Sequence, residues 1–274
     1  MSRRIAVVLF FVLVIVGVMV AASFREEAEI TSKTDEILVT AWYVPKPGVS
    51  WQWQLNGDLN TSHDVDVYDI DLFDTTKEQI AKLQSRGIKV ICYFSAGSYE
   101  DWRQDKNDFP TKVLGNTLKG WENEKWLDIA QITLLAPIME KRLDLAKQKG
   151  CDGVEPDNVD GYQNESGFSL TGPDQLRYNK WLAGQAHQRR LSIGLKNDLD
   201  QIDDLVDHFD FAVNEQCFEY DECERLLPFI AQGKAVLGVE YELQPEQFCE
   251  DAGAMRFSWM KMTYELDGGR SPCL

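Results

Sequence analysis

The chain has only three histidines among its 274 residues, His63, His187 and His208. None of them adjoins an obvious cluster of carboxylates at the end of a predicted strand, so a zinc hydrolase or a histidine-based triad is poorly supported. The sequence also lacks a Gly-x-Gly-x-x-Gly motif at its first predicted strand-to-helix turn, which removes the usual reason to favour a dinucleotide-binding fold. We therefore expect neither a metal nor a cofactor.

Positive charge is scarce as well. The chain has 28 lysines and arginines against 45 aspartates and glutamates, for a formal net charge of −17. Such a surplus of acids disfavours nucleic acid or anionic lipid as a partner and suits a cationic one. Nothing in the sequence implies a protein partner.

The N-terminus carries an export signal. Two arginines precede an uncharged apolar run from Ile5 to Ala22, and small residues surround a plausible cleavage point before Phe24. This pattern predicts a secretory signal peptide over residues 1–23, with retention as a membrane anchor as the alternative. Residues 24–36 are rich in Glu, Lys, Ser and Thr and read as a linker. We expect a secreted domain over residues 37–274, or an outward-facing one if the anchor is retained.

Short apolar runs alternate with amphipathic segments after residue 37. Runs of this kind are typical of parallel strands buried on both faces, and the alternation predicts right-handed βαβ units. Eight runs favour a single (β/α)8 barrel. The predicted strands are Ile37–Tyr43, Val65–Leu72, Lys89–Ser95, Gly153–Pro156, Leu191–Lys196, Phe209–Val213, Ala235–Tyr241 and Met255–Met260. The predicted helices are Thr76–Arg86, Ile138–Lys149, Pro173–Arg190, Glu222–Ala231 and Pro245–Ala252.

Polar side chains follow six of the eight predicted strands, at the end where barrel enzymes carry their catalytic groups. They are Asp69, Asp71, Tyr93, Ser95, Asp157, Asn158, Lys196, Asn197, Asp198, Asn214, Glu215, Glu240 and Glu242. Buried carboxylates are costly unless they are paired or used, so this concentration predicts a functional site. The alternative is that Lys196 neutralises one acid and the others cap helices.

Asp157 is the most informative of these acids. Pro156 removes a ladder donor, so the strand should end near Glu155 and project Asp157 beyond it. A polar turn after a buried strand is the alternative. A calcium loop fits poorly because Val159 lies where an oxygen ligand is needed.

Two carboxylates across a cleft, surrounded by aromatic side chains, meet the requirements of glycoside hydrolysis. We assign Asp157 and Glu215 as the pair. Aromatic residues of the first loop and of the long connection from Ala96 to Gln131 suit stacking on sugar faces. The expected substrate-binding residues are Trp53, Asp69, Asp71, Tyr93, Ser95, Asn158, Lys196, Asn197 and Glu240.

Six cysteines in an exported chain favour disulfides. Cys217 and Cys223 flank one loop, and Cys249 and Cys273 would hold the C-terminus; the connectivity itself does not follow from the sequence. The two remaining cysteines, Cys92 and Cys151, lie in apolar strand-like runs, where we expect buried free thiols.

Five ordered motifs carry a resemblance to a known family. They are Trp51-Gln52-Trp53-Gln54-Leu55, Val67-Tyr68-Asp69-Ile70-Asp71-Leu72-Phe73-Asp74, Cys92-Tyr93-Phe94-Ser95-Ala96-Gly97-Ser98-Tyr99-Glu100, Gly153-Val154-Glu155-Pro156-Asp157-Asn158 and Asn214-Glu215-Gln216-Cys217. Together they resemble glycoside hydrolase family 114, the endo-α-1,4-polygalactosaminidases.

The resemblance implies an exported (β/α)8 barrel that cleaves α-1,4-linked galactosamine polymers. It places Asp157 and Glu215 at the positions of the proposed catalytic acids and implies a Cys217–Cys223 bridge beside Glu215. The implied partner is a cationic amino sugar polysaccharide. The competing hypothesis is a non-catalytic barrel that is tethered at the cell surface and grips the same glycan.

We expect a retaining mechanism with Asp157 as the nucleophile and Glu215 as the acid and base, with inversion and Asp157 as a general base as the alternative. Asn158 and Lys196 should stabilise the Asp157 anion. Nearby acids, Asp69, Asp71 and Glu240, should favour the protonated form of Glu215 by repulsion between like charges.

Overall fold

The computed structural model describes residues 42–273. Eight parallel strands follow one another in chain order around the sheet, and a ninth short strand pairs antiparallel with the last of them. The eight are β1 (Trp51–Gln54), β2 (Val67–Asp71), β3 (Lys89–Ser95), β7 (Gly153–Asp157), β8 (Ser192–Lys196), β9 (Phe211–Glu215), β10 (Val236–Glu240) and β11 (Ser258–Lys261), and the ninth is β12 (Ser271–Pro272). This arrangement confirms the predicted (β/α)8 barrel.

The first and last parallel strands are joined by side chains and by the C-terminal segment. Trp51 Nε1 on β1 donates to the carbonyl of Ser258 on β11 at 2.9 Å, and Gln52 Nε2 donates to the carbonyl of Gly268 at 2.9 Å. The backbone amide of Leu55 donates to the carbonyl of Leu266 at 3.0 Å. These bonds give partners to backbone carbonyl and amide groups at the junction of the first and last strands.

The described part of the chain contains six α-helices, which lie between or after the strands. They are α1 (Lys77–Gln84), α2 (Ile132–Lys149), α3 (Gly172–Gln188), α4 (Ile202–Leu205), α5 (Leu227–Ala231) and α6 (Cys249–Ala254). Helices α1 and α3 begin with capping boxes built from Thr76 with Gln79 and from Thr171 with Asp174. Helix α2 starts six residues before the predicted Ile138 and contains Pro137. Within residues 42–273, no helix has the length and apolar character needed to span a membrane.

Side chains alternate between two hydrophobic cores along each strand. The core inside the barrel contains Trp51, Val67, Ile91, Val213, Leu237, Val239 and Met260. The other core lies between the strands and the helices. Gly194 on β8 points into the barrel, where an added Cβ would lie 2.4 Å from the ring of Phe211, so only glycine fits. Lys196, two residues after Gly194 on the same face of β8, lies at the C-terminal mouth of the barrel.

A small antiparallel sheet is inserted between β3 and α2. It consists of β4 (Ser98–Glu100), β5 (Leu114–Leu118) and β6 (Trp121–Leu127), with β6 in the middle. The sequence analysis treated this stretch as a connection. It is the largest element that departs from the simple alternation of strands and helices.

Three details correct the sequence analysis. The first barrel strand is Trp51–Gln54, so Trp53 lies on a strand and not in a loop. Most of the predicted strand Ile37–Tyr43 lies outside the described residues, and Trp42 and Tyr43 are in no strand. The eighth strand begins at Ser258, because Met255 caps α6 and Arg256 has a positive φ.

The described cysteines all form disulfides. Cys217–Cys223 and Cys249–Cys273 confirm two expected pairs. The third, Cys92–Cys151, shows that the prediction of two free thiols was wrong. Cys92 lies on β3 and Cys151 just precedes its neighbour β7, so parallel pairing brings their Cα atoms to 6.1 Å. The predicted signal or anchor (1–23) and linker (24–36) lie outside the described residues, and the proposed domain limits stay predictions.

Candidate active site

Lys196, at the end of β8, joins the two predicted catalytic acids. Its Nζ lies 3.1 Å from Asp157 Oδ1 at the end of β7 and 3.2 Å from Glu215 Oε2 at the end of β9. These two distances sum to 6.3 Å, which is therefore the upper limit for the separation of the two carboxylate oxygens. Burial lowers the pKa of Lys196, but the charges of Asp157, Glu215 and Glu155 raise it well above its usual value. The ammonium is therefore a fixed positive charge between two acids.

The backbone turns sharply after each of the three strands that carry this triad. Asn158, Asn197 and Gln216, which follow Asp157, Lys196 and Glu215, have φ values of 60°, 49° and 65°. This left-handed conformation is costly for most residues other than glycine, and asparagine tolerates it better than most. Two of these residues contact a catalytic acid: the backbone amide of Asn158 donates to Asp157 Oδ1 at 2.8 Å, and Asn197 Nδ2 donates to Glu215 Oε2 at 3.3 Å.

Asp157 accepts hydrogen bonds from several donors. Besides Lys196 and the Asn158 amide, the hydroxyl of Tyr93 donates to Asp157 Oδ2 at 2.9 Å. Burial, followed by the charge of Asp157, raises the pKa of Tyr93 well above its usual value, so the phenol keeps its proton. The strand end itself is fixed because the amides of Ala96 and Gly97 both donate to the Asp157 carbonyl. A Cβ on Gly97 would lie 1.6 Å from the carbonyl oxygen of Asn158, so the close approach of β3 to β7 requires glycine.

Glu215 receives a different set of contacts. Asn197 Nδ2 donates to Glu215 Oε2 at 3.3 Å, and the hydroxyl of Tyr241 donates to Glu215 Oε1. Burial, followed by the charge of Glu215, raises the pKa of Tyr241 far above its usual value. The Tyr241 ring stacks on Tyr264 with centroids 4.2 Å apart. Tyr241 was missed in the sequence analysis, because the nearly continuous apolar run Ala235–Tyr241 does not show which of its side chains face into the barrel.

The acids lie in an open cleft of about 1330 Å³ at the C-terminal mouth of the barrel. Of the predicted substrate-binding residues, Trp53, Asp71, Tyr93, Asn158, Lys196 and Asn197 line it. The structure places Asp69, Ser95 and Glu240 elsewhere. All three are fully buried beneath or behind the cleft, so we no longer expect them to contact substrate.

Two of the three acids expected to repel Glu215, Asp71 and Glu240, have partners of their own. Arg103 Nη2 lies 2.6 Å from Asp71 Oδ2 and neutralises it. Glu240 accepts a hydrogen bond from the backbone amide of Phe218 at 3.0 Å on the outer side of β10. This geometry does not support the expected control of Glu215 by these acids.

The inserted sheet forms one wall of the cleft and brings two further acids that the sequence analysis missed. Glu100 and Glu124 line the cleft and are largely buried. Burial raises the pKa of Glu124 to about 7, with Glu100 and Asp157 adding to the rise against the hydrogen bond from Ser98. Trp126, Trp102 and Trp121 line the same wall, and the last two are about half exposed. The wall therefore combines negative charge with aromatic surface.

The chain was compared with known proteins in three ways, and two of the comparisons found matches. The family model of glycoside-hydrolase family GH114 matches residues 32–274. The crystal structure of Aspergillus fumigatus Ega3 in complex with galactosamine is 44% identical, with a TM-score of 0.82, covering 85% of this chain and 98% of that one. No curated protein matches the chain.

A more distant structure has the same fold. The glycoside hydrolase domain of PelA from Pseudomonas aeruginosa is 16% identical, with a TM-score of 0.65, covering 81% of this chain and 96% of that domain. At this identity the similarity supports the barrel alone. The match of the family model over nearly the whole chain, together with the 44% identity to Ega3, shows that this protein is a glycoside hydrolase of family GH114.

Proposed function

We propose that the protein is an exported, endo-acting hydrolase that cleaves α-1,4-linked galactosamine polymers with retention of configuration. The observation that carries this proposal is the contact of Lys196 with both Asp157 and Glu215, which limits their nearest oxygens to 6.3 Å apart. Retaining glycosidases hold their carboxyl groups about 5–5.5 Å apart, and inverting enzymes about 6.5–9.5 Å. The spacing favours direct attack on the sugar over activation of a water.

In the first step, Asp157 attacks the anomeric carbon while Glu215 transfers its proton to the glycosidic oxygen, and the bond to the leaving sugar breaks. The contacts to Lys196, Tyr93 and the Asn158 amide favour Asp157 as the anion. In the second step, Glu215 takes a proton from water, which displaces Asp157 from the anomeric carbon. Glu215 is the more exposed of the two side chains, which suits an acid that must reach a leaving oxygen.

The substrate class follows from charge and surface. The cleft is lined by Asp157, Asp160, Glu100, Glu124 and Glu215 among other acids, and protonated amines of galactosamine would complement them. Its tryptophans offer apolar faces for sugar rings. The galactosamine complex of Ega3, at 44% identity, supports the same sugar. Long-range attraction of this kind weakens with salt, so binding of the deacetylated polymer should fall as ionic strength rises.

Export is supported by the three disulfides, which persist in oxidising compartments. The alternative function, a non-catalytic barrel tethered at the cell surface, would use the same acids to hold a cationic glycan. The contact of both acids with one ammonium, which keeps their nearest oxygens within 6.3 Å of each other, favours catalysis.

The proposal is tested by release of reducing ends from a deacetylated α-1,4-galactosamine polymer. Wild-type protein should release internal fragments, while Asp157→Ala and Glu215→Ala should lose at least 1,000-fold in rate because each removes one partner of a two-acid mechanism. Binding without release of reducing ends would favour the tethered binding protein. Equal cleavage of the fully N-acetylated polymer would contradict the cationic substrate.

The two roles are separated with an activated aryl glycoside and added azide. Azide should rescue Glu215→Ala and yield a glycosyl azide of retained configuration. Asp157→Ala should give an inverted azide or stay inactive. The opposite pattern would exchange the roles of nucleophile and acid.

A further inference from the structure

A second pair of carboxyl groups lies beneath Lys196. Asp69 on β2 and Glu155 on β7 are both fully buried in the barrel. Within residues 42–273, no group outside the pair donates a well-aligned hydrogen bond to any of their four oxygens. Lys196 Nζ nevertheless lies 3.3 Å from Glu155 Oε1. Buried carboxyl groups without donors are rare, so this pair requires an explanation.

A proton shared between the Asp69 and Glu155 carboxyl groups would explain the absence of other donors. Two adjacent buried carboxyl groups cannot both ionise, because desolvation and like-charge repulsion disfavour the second charge. Burial, the charge of Glu155 and a hydrogen bond to Glu155 raise the pKa of Asp69 well above its usual value. The proton therefore resides on Asp69, which donates to Glu155. The remaining negative charge lies on Glu155, next to Lys196.

This charge lies on one side of Lys196, and the two catalytic acids lie on the other. The Nζ distances to Glu155, Asp157 and Glu215 are 3.3, 3.1 and 3.2 Å, so the ammonium is shared almost equally among the three. The ring of Trp53 also lies below the ammonium, with its centroid 4.9 Å away. Without Glu155, the ammonium would pair more tightly with the two upper acids.

We propose that Asp69 and Glu155 form a proton-sharing pair that holds Lys196 midway between the two catalytic acids. Glu155 is then a positioning residue, acting through Lys196 and not on the substrate. The inference rests on the proposed roles of Asp157 and Glu215.

The arrangement suits a retaining reaction. When the glycosyl ester forms, Asp157 loses its negative charge and Glu215 gains one by giving up its proton. The negative charge thus moves from Asp157 to Glu215, and the total negative charge next to the Lys196 ammonium stays constant. A lysine anchored from below can stabilise both states without moving.

Two isosteric variants of the pair separate positioning from packing. In Asp69→Asn, the new amide donates to Glu155 in place of the shared proton, and the negative charge stays beside Lys196. In Glu155→Gln, that charge is removed from the ammonium. Each variant replaces one fully buried carboxyl group in the same layer, so a packing role alone would make their effects similar.

We expect Glu155→Gln to lower kcat/KM on the polymer about 100-fold and Asp69→Asn no more than about fivefold. The alkaline limb of the pH profile should move about one pH unit lower in Glu155→Gln only, because the acid catalyst loses a negative neighbour and releases its proton sooner. The other titratable groups that interact with Glu155, namely Lys196, Asp157, Glu215 and Tyr93, are intact in both variants.

The shared proton is tested without activity. The infrared difference spectrum of wild type minus Asp69→Asn at pH 7 should contain a protonated-carboxyl band, and this measurement decides the proposal if Glu155→Gln fails to fold. Absence of the band, or equal losses and unmoved pH limbs in both folded variants, would overturn the positioning pair. Wild-type protein that releases no reducing ends would instead overturn the proposed function, and the infrared spectrum would still decide the pair.

Discussion

A buried lysine is the residue on which this active site depends. Lys196 is only 3% exposed, and burial of an ammonium is costly unless acids surround it. Here three carboxylates lie within 3.3 Å of its Nζ. The attraction between the ammonium and the carboxylates offsets both the desolvation of the ammonium and the repulsion among the acids. A site of this kind keeps its acids close together in the absence of substrate.

At the residue scale, Tyr241→Phe tests how much a single donor contributes. The variant keeps the ring that stacks on Tyr264 but removes the hydroxyl that donates to Glu215. A hydrogen bond to a charged group contributes about 1.5–3 kcal/mol. We expect kcat to fall about 10- to 100-fold with a smaller change in KM, measured with the polymer or the aryl glycoside.

Tyr178→Phe is the matched control for this prediction. It also removes a buried phenol hydroxyl, which donates to the carbonyl of Ala96 at 2.7 Å. This loss should reduce the free energy of unfolding by about 1 kcal/mol and leave kcat within twofold. If Tyr241→Phe behaves in the same way, its hydroxyl acts only on stability.

At the scale of elements, the inserted sheet is the feature that turns a barrel mouth into a walled cleft. Two buried arginines attach it to the barrel. Arg103 bridges Glu100 on β4 and Asp71 on β2. Arg142 on α2 contacts the carbonyl of Ser95 and the carboxylate of Asp105. Such multidentate guanidinium contacts hold the wall rigidly against the strands that carry the acids.

The exposed tryptophan at the start of β6 tests the function of this wall. Trp121 is 58% exposed and lines the cleft. Stacking on a sugar ring contributes about 1 kcal/mol, so Trp121→Ala should raise KM for long polymers about fivefold with little change in kcat. Trp121→Phe, which keeps an aromatic face, should recover most of the loss. An unchanged KM in Trp121→Ala would exclude this side chain from polymer binding.

At the scale of the whole molecule, several acids are protonated more readily in the folded state than in the unfolded chain. Burial is the largest cause for each, and like charges add to it. The pKa values are about 7 for Glu124, about 6 for Asp160 and about 8 for Asp198. An acid with a raised pKa stabilises the fold while it is protonated and loses that contribution as the pH rises through its folded pKa.

We therefore expect the protein to become less stable between about pH 5 and pH 8. For Glu124, a rise in pKa from 4.5 to about 7 corresponds to about 3 kcal/mol lost across this range, at about 1.4 kcal/mol per pKa unit. Urea unfolding at pH 5, 6.5 and 8 measures the trend. A free energy of unfolding that rises toward pH 8 would contradict the expectation.

Asp198→Asn is the control variant for this trend. Asp198 is buried, does not line the cleft, and has a φ of 48°, a conformation that asparagine tolerates well. The variant removes one titrating group without changing the size of the side chain. Its stability should fall less than that of wild type between pH 6.5 and pH 8.

Local patterns in the sequence determined the class of fold and most strand ends. Seven of the eight predicted strands overlap the observed ones, because continuous apolar runs record burial on both faces. Trp51–Gln54 escaped notice because a four-residue strand with alternating glutamines lacks such a run. The strand-end residues Asp157, Lys196 and Glu215 could also be identified from the sequence, since each lies at or just after the end of a predicted strand.

Only the tertiary structure decided which of these polar residues meet. Strand register brings Cys92 to Cys151, and side-chain alternation turns Tyr241 inward and Glu240 outward. Neither property is local: register depends on the pairing of strands that are distant in sequence, and the face of a strand end is fixed only when the barrel is assembled. For the same reason, the sequence determined that acids gather at one end of the barrel, and the packing of β7, β8 and β9 decided that Lys196 lies between them.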